Sequence, residues 1–372
     1  MLRQVCLTGW ASGRKAISRL ANPKLSFSDV INPQPQNRED ADNLYLGIDV
    51  GGTNIKAGIV SEAGEVLANG SVPTQADRGP DHGIEQMAVA AQEVLQQTGH
   101  TLNDITAVGL ATPGTMDIPA GMLLNPANLR WTNYPVRQNL ENILQRPTVL
   151  QNDANAAAYG EYWAGSASHA NSLVFYTLGT GLGGGIIVDD TIVQGDHSHG
   201  SEIGHMVLEM HNGRYCNTGQ YGTAEAYCSA TALLQQYERA IADNRPTSVT
   251  ARISEGTPVT PLMIAEEAEK GDELATELIL EMARCLGTAV TSVCHVIDPG
   301  IVLLGGAMTF GRMETEIGKR FIETVRSEFQ KRAFPVLAEK ITIDYASLGG
   351  SAGFIGAAGC ARRAVRHGLL KT

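Results

Sequence analysis

Apolar positions along this chain fall into short β-branched runs and longer stripes at helical spacing. The first of these runs, Tyr45 to Val50 and Ile55 to Val60, flank Gly51-Gly52-Thr53-Asn54. Short apolar runs split by Gly-Gly predict an antiparallel strand pair with a tight turn. Glu62-Ala63-Gly64-Glu65 is a second turn signal, and Val66 to Val72 a third strand. His82 to Gln97 carries Ile84, Met87, Ala88, Ala91, Val94 and Leu95 at helical spacing, with Gly99 as the stop signal. Ile105 to Ala111 predicts a buried strand running into Thr112-Pro113-Gly114. The resulting β-β-β-α-β order is that of a mixed sheet, not strict βαβ alternation.

Further on, Tyr134 to Leu144 predicts a helix and Pro147 to Leu150 a strand. An Ala-rich helix follows, with Asn152-Asp153 at the junction. Leu173 to Leu178 is a strand, then come Gly179-Thr180-Gly181-Leu182-Gly183-Gly184-Gly185 and Ile186 to Val188. This stretch formally contains G-x-G-x-x-G, but a dinucleotide fingerprint requires a helix after the glycines, and β-rich residues follow here. It reads instead as a second strand–Gly turn–strand unit, so the pattern predicts a duplicated framework with two turns facing each other across a cleft. Ala226 to Ala242 predicts a helix, Thr247 to Pro258 a surface loop, and Pro261 to Lys270, Glu273 to Met282 and Leu286 to Val296 three successive helices. Ile301 to Ala307 predicts a strand ending in Gly305-Gly306, Ile341 to Asp344 another, and Phe354 to Val365 a small-residue helix packing back onto the first half.

Composition narrows the class. The chain has 372 residues, enough for two domains, and 41 glycines, which suits an α/β protein with many tight turns. Its formal net charge of −11 argues against non-specific binding to nucleic acid or a membrane surface. No apolar run approaches the length of a membrane span. The six cysteines are scattered without paired spacing, and the reading is cytoplasmic. Residues 1–43 differ from the rest. Five basic residues precede the first acid, Asp29, and Asn32-Pro33-Gln34-Pro35-Gln36-Asn37 resembles a linker. The apolar stretch is too interrupted for a signal peptide, so a disordered tail, or a start codon placed too early, is the expectation.

Several residues could carry chemistry. Gly51 and Gly52 leave bare backbone N–H groups where a phosphate could sit, with the Thr53 hydroxyl beside it. Asp49 ends an apolar strand, where a carboxylate is costly without a partner such as a hydrated Mg²⁺. The residues alone leave an ordinary hairpin with a capping Asp as the alternative. Asp153 reads either as an N-cap or as a ligand-facing group at a strand end, roles that can coincide. Glu202 and His205, three apart, and Glu225 lie in Gly-rich loops. Gly305-Gly306 would let a flat ring or ribose approach the backbone.

The order of these motifs decides more than any one of them. Asp49-Val-Gly-Gly-Thr-Asn54, Thr112-Pro-Gly114, Asn152-Asp153, Gly179-Thr-Gly181-x-Gly-Gly-Gly185, Glu202-x-Gly-His205 and Leu304-Gly-Gly306 resemble the ROK family of the hexokinase/Hsp70/actin-like superfamily, over about residues 44–368. The resemblance implies an α/β, two-domain actin-like ATPase (ribonuclease H-like) fold with a cleft between domains. The smaller domain would be 44–152, completed by a C-terminal helix within 351–372, and the larger 153–350. Carried over, Asp153 is the catalytic base, and Gly114, Asn152, Glu202, His205 and Glu225 bind sugar. Asp49, Gly51, Gly52, Thr53, Asn54, Thr180, Gly181, Gly305 and Gly306 serve the nucleotide. Lys56 reads as sheet surface. The resemblance implies a hexose and ATP as small-molecule partners with Mg²⁺ near Asp49 through water. It implies neither nucleic acid nor membrane, and is compatible with a homodimer.

One departure matters. Many family members carry C-x-C-G-x-x-G-C-x-E, whose three Cys join the His of E-x-G-H on a structural zinc. Here Cys216-Asn-Thr218-Gly219-Gln-Tyr-Gly222-Thr223-Ala-Glu225 puts Thr at two thiolate positions. Thr is a poor zinc ligand, and nothing in the spacing recommends His197, His199, His211 or Cys228 instead. Zinc is therefore not expected, and the loop must be held by packing or hydrogen bonds. The implied activity is ATP-dependent phosphorylation of a hexose, with glucose at its 6-hydroxyl first and fructose, mannose, N-acetylmannosamine or allose as alternatives. A non-catalytic sugar-binding protein or repressor of the same family is the other reading.

Overall fold

The computed structural model describes residues 43–126, 129–253 and 258–370. The expected tail lies outside them except for Asn43, whose side-chain oxygen accepts from the Thr106 hydroxyl at 3.0 Å. The first half of the described chain is built from β1 (Leu44–Val50), β2 (Asn54–Ser61), β3 (Val66–Pro73), α1 (Pro80–Thr98), β4 (Ile105–Thr112), a small hairpin of β5 (Thr115–Asp117) and β6 (Met122–Asn125), α2 (Val136–Leu144), β7 (Thr148–Asn152) and α3 (Asp153–Ala164). Its main sheet has the order β3-β2-β1-β4-β7. The first three strands pair antiparallel, and β1–β4 and β4–β7 pair parallel. The central strands β1 and β4 are apolar almost throughout because both faces are covered, as parallel pairing demands. The edge strand β3 is mostly exposed. Helix α1 starts on Pro80 and stops at Gly99, which takes φ 72°, and buries Ile84, Met87, Ala91, Val94 and Leu95 against the sheet.

The second half repeats this plan. It holds β8 (Ser172–Leu178), β9 (Leu182–Val188), β10 (Thr191–Ile192), α4 (Glu225–Cys228), α5 (Ala230–Ala242), α6 (Val249–Arg252), α7 (Pro261–Glu269), α8 (Glu273–Ile297), β11 (Ile301–Gly305), α9 (Glu316–Arg332), α10 (Pro335–Lys340), β12 (Thr342–Tyr345) and α11 (Ala352–Arg366). The sheet order is β10-β9-β8-β11-β12, again two antiparallel pairings followed by two parallel ones. The duplicated framework read from the two Gly-rich turns is present strand for strand.

The helices depart from expectation in several places, among them the short α10 (Pro335–Lys340), which was not anticipated. The two helices expected over 273–296 are one, because no breaker lies between Met282 and Leu286 and the buried stripe runs on through Ala289, Val290 and Val293. The helix expected from Ala226 is broken at Ser229, whose hydroxyl caps α5 by accepting from Ala232 N–H at 3.1 Å. The expected loop from Thr247 contains α6, anchored by the fully buried Val249. Helix α9 was not anticipated and buries Phe321, Ile322, Val325 and Phe329.

Helix α11 returns to the first half, as expected. It lies so close to β1 and β4 that a Cβ on Gly47 would sit 1.8 Å from Phe354 O, and one on Gly109 would sit 1.7 Å from Ala357 O. Those two strand glycines exist for this approach. Phe354, Ile355 and Ala358 complete the docking by packing with Tyr45, Val60 and Ala107.

Candidate active site

The first glycine turn joins β1 to β2 and is pinned from outside. Gly51 N–H donates to Asn54 O at 2.9 Å. Thr74, fully buried just past β3, donates its N–H to Thr53 O at 2.9 Å and its hydroxyl to Gly51 O at 2.7 Å. The turn is thus rigid while Gly52, Thr53 and Asn54 face solvent. Asp49, one residue from the end of β1, lies against the start of α11, where a Cβ on Gly353 would meet its Oδ2 at 2.2 Å. Burial raises its pKa to about 6 against the opposing pull of Lys56, its cross-strand neighbour. Lys56 is committed elsewhere, donating to Gly350 O at 2.8 Å.

Asp153 is the first residue of α3, and the cap is its neighbour. Asn152 Oδ1 accepts from Ala154 N–H at 3.0 Å and from Asn155 N–H at 3.1 Å. This settles the N-cap alternative: Asn152 takes that role, and Asp153, with Ala154 N–H 2.9 Å from its Oδ1, keeps a second oxygen for other work. Burial first, then the charges of Asp49 and Glu202, raise the Asp153 pKa to about 7. The charges of Asp49 and Glu202 thus add to burial in raising the proton affinity of Asp153 toward neutral pH. Thr112 pairs with Asn152 across β4 and β7, so Pro113-Gly114 leaves the sheet beside Asp153. Gly114 adopts φ 90° there, with Pro126 against it.

Glu202 is exposed and precedes the single turn Ile203–His205, whose His205 N–H donates to Glu202 O at 3.0 Å. The His205 Nδ1 is buried without a hydrogen-bond partner among the described residues. Glu225 faces the second glycine turn. Its Oε2 accepts from Leu182 N–H at 2.8 Å and its Oε1 from the Cys216 thiol at 3.1 Å. Each oxygen retains a lone pair for a sugar hydroxyl.

The second turn, Gly179 to Gly181, is closed by Gly179 N–H on Gly181 O at 3.0 Å. It is held by the start of α5. Ala230 N–H reaches Gly179 O at 2.9 Å, and the Thr231 hydroxyl reaches Thr180 O at 2.8 Å. At the end of β11, Gly306 takes φ 91°, and a Cβ there would lie 2.3 Å from Leu178 O. Between these elements opens a cavity of about 740 Å³ with Gly179, Thr180, Ala230, Leu262, Met308 and Phe310 in its wall. That volume suits a nucleoside-sized ligand. Glu269 shapes the far wall, both carboxylate oxygens accepting at 2.9 Å from Glu316 and Ile317 N–H at the start of α9. Neither Thr74 nor this α7–α9 wall was visible in the sequence.

The ROK family model covers residues 45–364. This chain belongs to the ROK family. The Streptomyces coelicolor glucokinase is 31% identical over 326 residues, 86% of this chain and 98% of that protein. The crystal structure of a ROK family glucokinase from Streptomyces griseus, in complex with glucose and AMPPNP, aligns at 30% identity with a TM-score of 0.71, covering 86% of this chain and 100% of that one. The xylose repressor of Caldicellulosiruptor bescii is 25% identical over 82% of this chain but only 74% of its own length. The two matched sheets and the cleft are accordingly those of the actin-like ATPase fold.

The zinc of many ROK proteins does not fit the donors present here. Cys216 Sγ is occupied by Glu225 and lies 3.0 Å from the Thr218 hydroxyl. Cys228 is buried, its thiol directed toward Met282 O at 3.7 Å and burial holding it firmly protonated. Among the described residues no three His, Cys, Asp or Glu side chains form a group able to hold a metal ion, and no helix is long and apolar enough to cross a membrane.

Proposed function

We propose that this ROK protein is an ATP-dependent glucokinase that transfers the γ-phosphoryl group to the 6-hydroxyl of glucose. The observation that carries the reading is Asp153: it stands at a helix start whose cap is already supplied by Asn152, and its proton affinity is raised to about pH 7. A base needs that value to accept a hydroxyl proton at neutral pH.

The other roles follow from position. The Gly51–Asn54 and Gly179–Gly181 turns offer open backbone for phosphates, and the cavity beside the second turn has room for adenosine. Asp49 would hold, through water, the Mg²⁺ that travels with ATP, and that ion would supply neutralisation of charge on the transferring group. Asn152, Glu202, His205 and Glu225, with the Gly114 turn, are the sugar ligands. Each hydroxyl they engage adds discrimination against sugars lacking it. Residues 44–152 with α11, and 153–350, are the two domains that close to exclude water as a competing acceptor.

The test is the product. Protein incubated with MgATP and glucose should give a ³¹P signal of a phosphomonoester split as a triplet by a neighbouring CH₂, the signature of the 6-position. ATP consumption without a sugar ester, or an ester at another carbon, would refute the assignment.

A further inference from the structure

The polar loop that replaces the zinc cage reaches directly into the nucleotide turn. Cys216 is buried. Its own short turn is closed by Cys216 N–H on Gln220 O at 2.8 Å and Gly219 N–H on Cys216 O at 2.9 Å. Its thiol donates to Glu225 Oε1 at 3.1 Å, and the other oxygen of that carboxylate holds Leu182 N–H at 2.8 Å. A Cβ on Gly181 would lie 2.3 Å from the same Oε2, so the carboxylate braces the back of the second glycine turn. Thr223 Oγ1 and His205 Nδ1, at positions that the family's zinc motif gives to ligands, are both buried without a partner among the described residues. Ala224 N–H on Met206 O at 2.8 Å keeps their two segments side by side.

We propose that Cys216 is a positioning residue, whose thiol fixes Glu225 between the degenerate loop and the phosphate turn and so sets nucleotide affinity. The chemistry separates this arrangement from a zinc site. A zinc-bound cysteine is a thiolate with no proton to donate, whereas the neutral Cys216 thiol gives its hydrogen to the carboxylate. Losing the metal thus converts a ligand into a donor, and the loop remains tied to the site through Glu225. The inference rests on the kinase reading above for the turn's role.

Calorimetry with the full chain, Mg²⁺ and AMPPNP tests it without turnover. Cys216→Ala should weaken nucleotide binding about tenfold, the scale of one hydrogen bond to a charged acceptor. Cys216→Ser, which keeps a donor, should recover affinity to within about twofold of wild type. Glu225→Gln should weaken binding as well, and Cys216→Ala combined with Glu225→Gln should be no weaker than Glu225→Gln alone, because the two act through one link. If Cys216→Ala does not fold, Cys216→Val, similar in volume and also without a donor, replaces it. Wild-type affinity in the donor-less variant, additive losses in the pair, or about one zinc per chain lost with Cys216→Ser would each overturn the proposal. A wild type that binds the analogue but phosphorylates no glucose would refute the kinase reading and leave this comparison intact.

Discussion

Replacing Asp153 by Asn should make the protein more stable while slowing its chemistry severely. Folding lifts the Asp153 pKa from 3.8 to about 7. The sign follows from linkage. Between those values the folded state holds a proton that the unfolded state has released, so stability falls as pH rises through the window, and the full cost is present above pH 7. Three tenfold steps in proton affinity at about 1.4 kcal/mol each set a ceiling of about 4 kcal/mol. Asp153 keeps partial exposure on the cleft wall, which screens the cost, and about 2 kcal/mol is the working figure. Asn preserves shape and can still accept from Ala154 N–H, so Asp153→Asn should recover that energy. For a chain of this size it amounts to about 3 °C in melting temperature. Thermal melts of the ligand-free wild type and Asp153→Asn from pH 4 to pH 8.5 measure it. The curves should coincide near pH 4 and separate to their full extent above pH 7. A difference independent of pH, or an Asp153→Asn variant less stable than wild type at pH 8, would refute the electrostatic account of the site.

Asp153→Ala should lower kcat by ~10²–10⁴-fold, as loss of a general base does, while glucose Kd by calorimetry stays within about threefold; a variant retaining a tenth of wild-type kcat would remove Asp153 from that role. Thr74→Val deletes the 2.7 Å bond to Gly51 O and should raise KM for ATP several-fold with KM for glucose unchanged, at a stability cost of about 1–2 kcal/mol in urea unfolding. Gly109→Ala would force a methyl to within 1.7 Å of Ala357 O; it should yield insoluble protein or lose more than about 3 kcal/mol, and a melting temperature equal to wild type would contradict the docking of α11.

Much of this was legible because period and glycine placement are local properties. The strands flanking Gly51-Gly52 and Gly179–Gly185 announce themselves by composition, and their repetition announces the duplicated sheet. Asn152-Asp153 was legible as a junction but not as a division of labour. Both residue types cap helices, and only the backbone, extended at Asn152 with its side chain under two N–H groups, assigns the cap to one and frees the other. Thr74 was hidden because its role depends on β3 running beside the turn. The cavity wall was hidden because Glu269 meets the start of α9 across 47 residues of chain, a contact no spacing rule encodes. The continuity of α8 was not legible because Arg284 and Cys285 interrupt the apolar stripe between Met282 and Leu286, although Gly287 within it is no breaker. Gly287 is there because α9 packs so closely that a Cβ would lie 2.8 Å from Val325 O.

Under the kinase proposal Asp153, its proton affinity raised by burial and by the charge of Asp49, is the base for phosphoryl transfer. The pH dependence of kcat/KM for glucose at fixed MgATP tests it most directly, since that parameter reports ionisations before the sugar is bound. Burial raises the Asp49 pKa to about 6, and burial with the charge of Asp49 raises that of Asp153 to about 7. Glucose-dependent ADP release should therefore fall on an acid limb that breaks between those values, and Asp153→Asn should show residual activity without that limb. A wild-type profile flat from pH 5 to pH 8, or an acid limb that survives in Asp153→Asn, would contradict it.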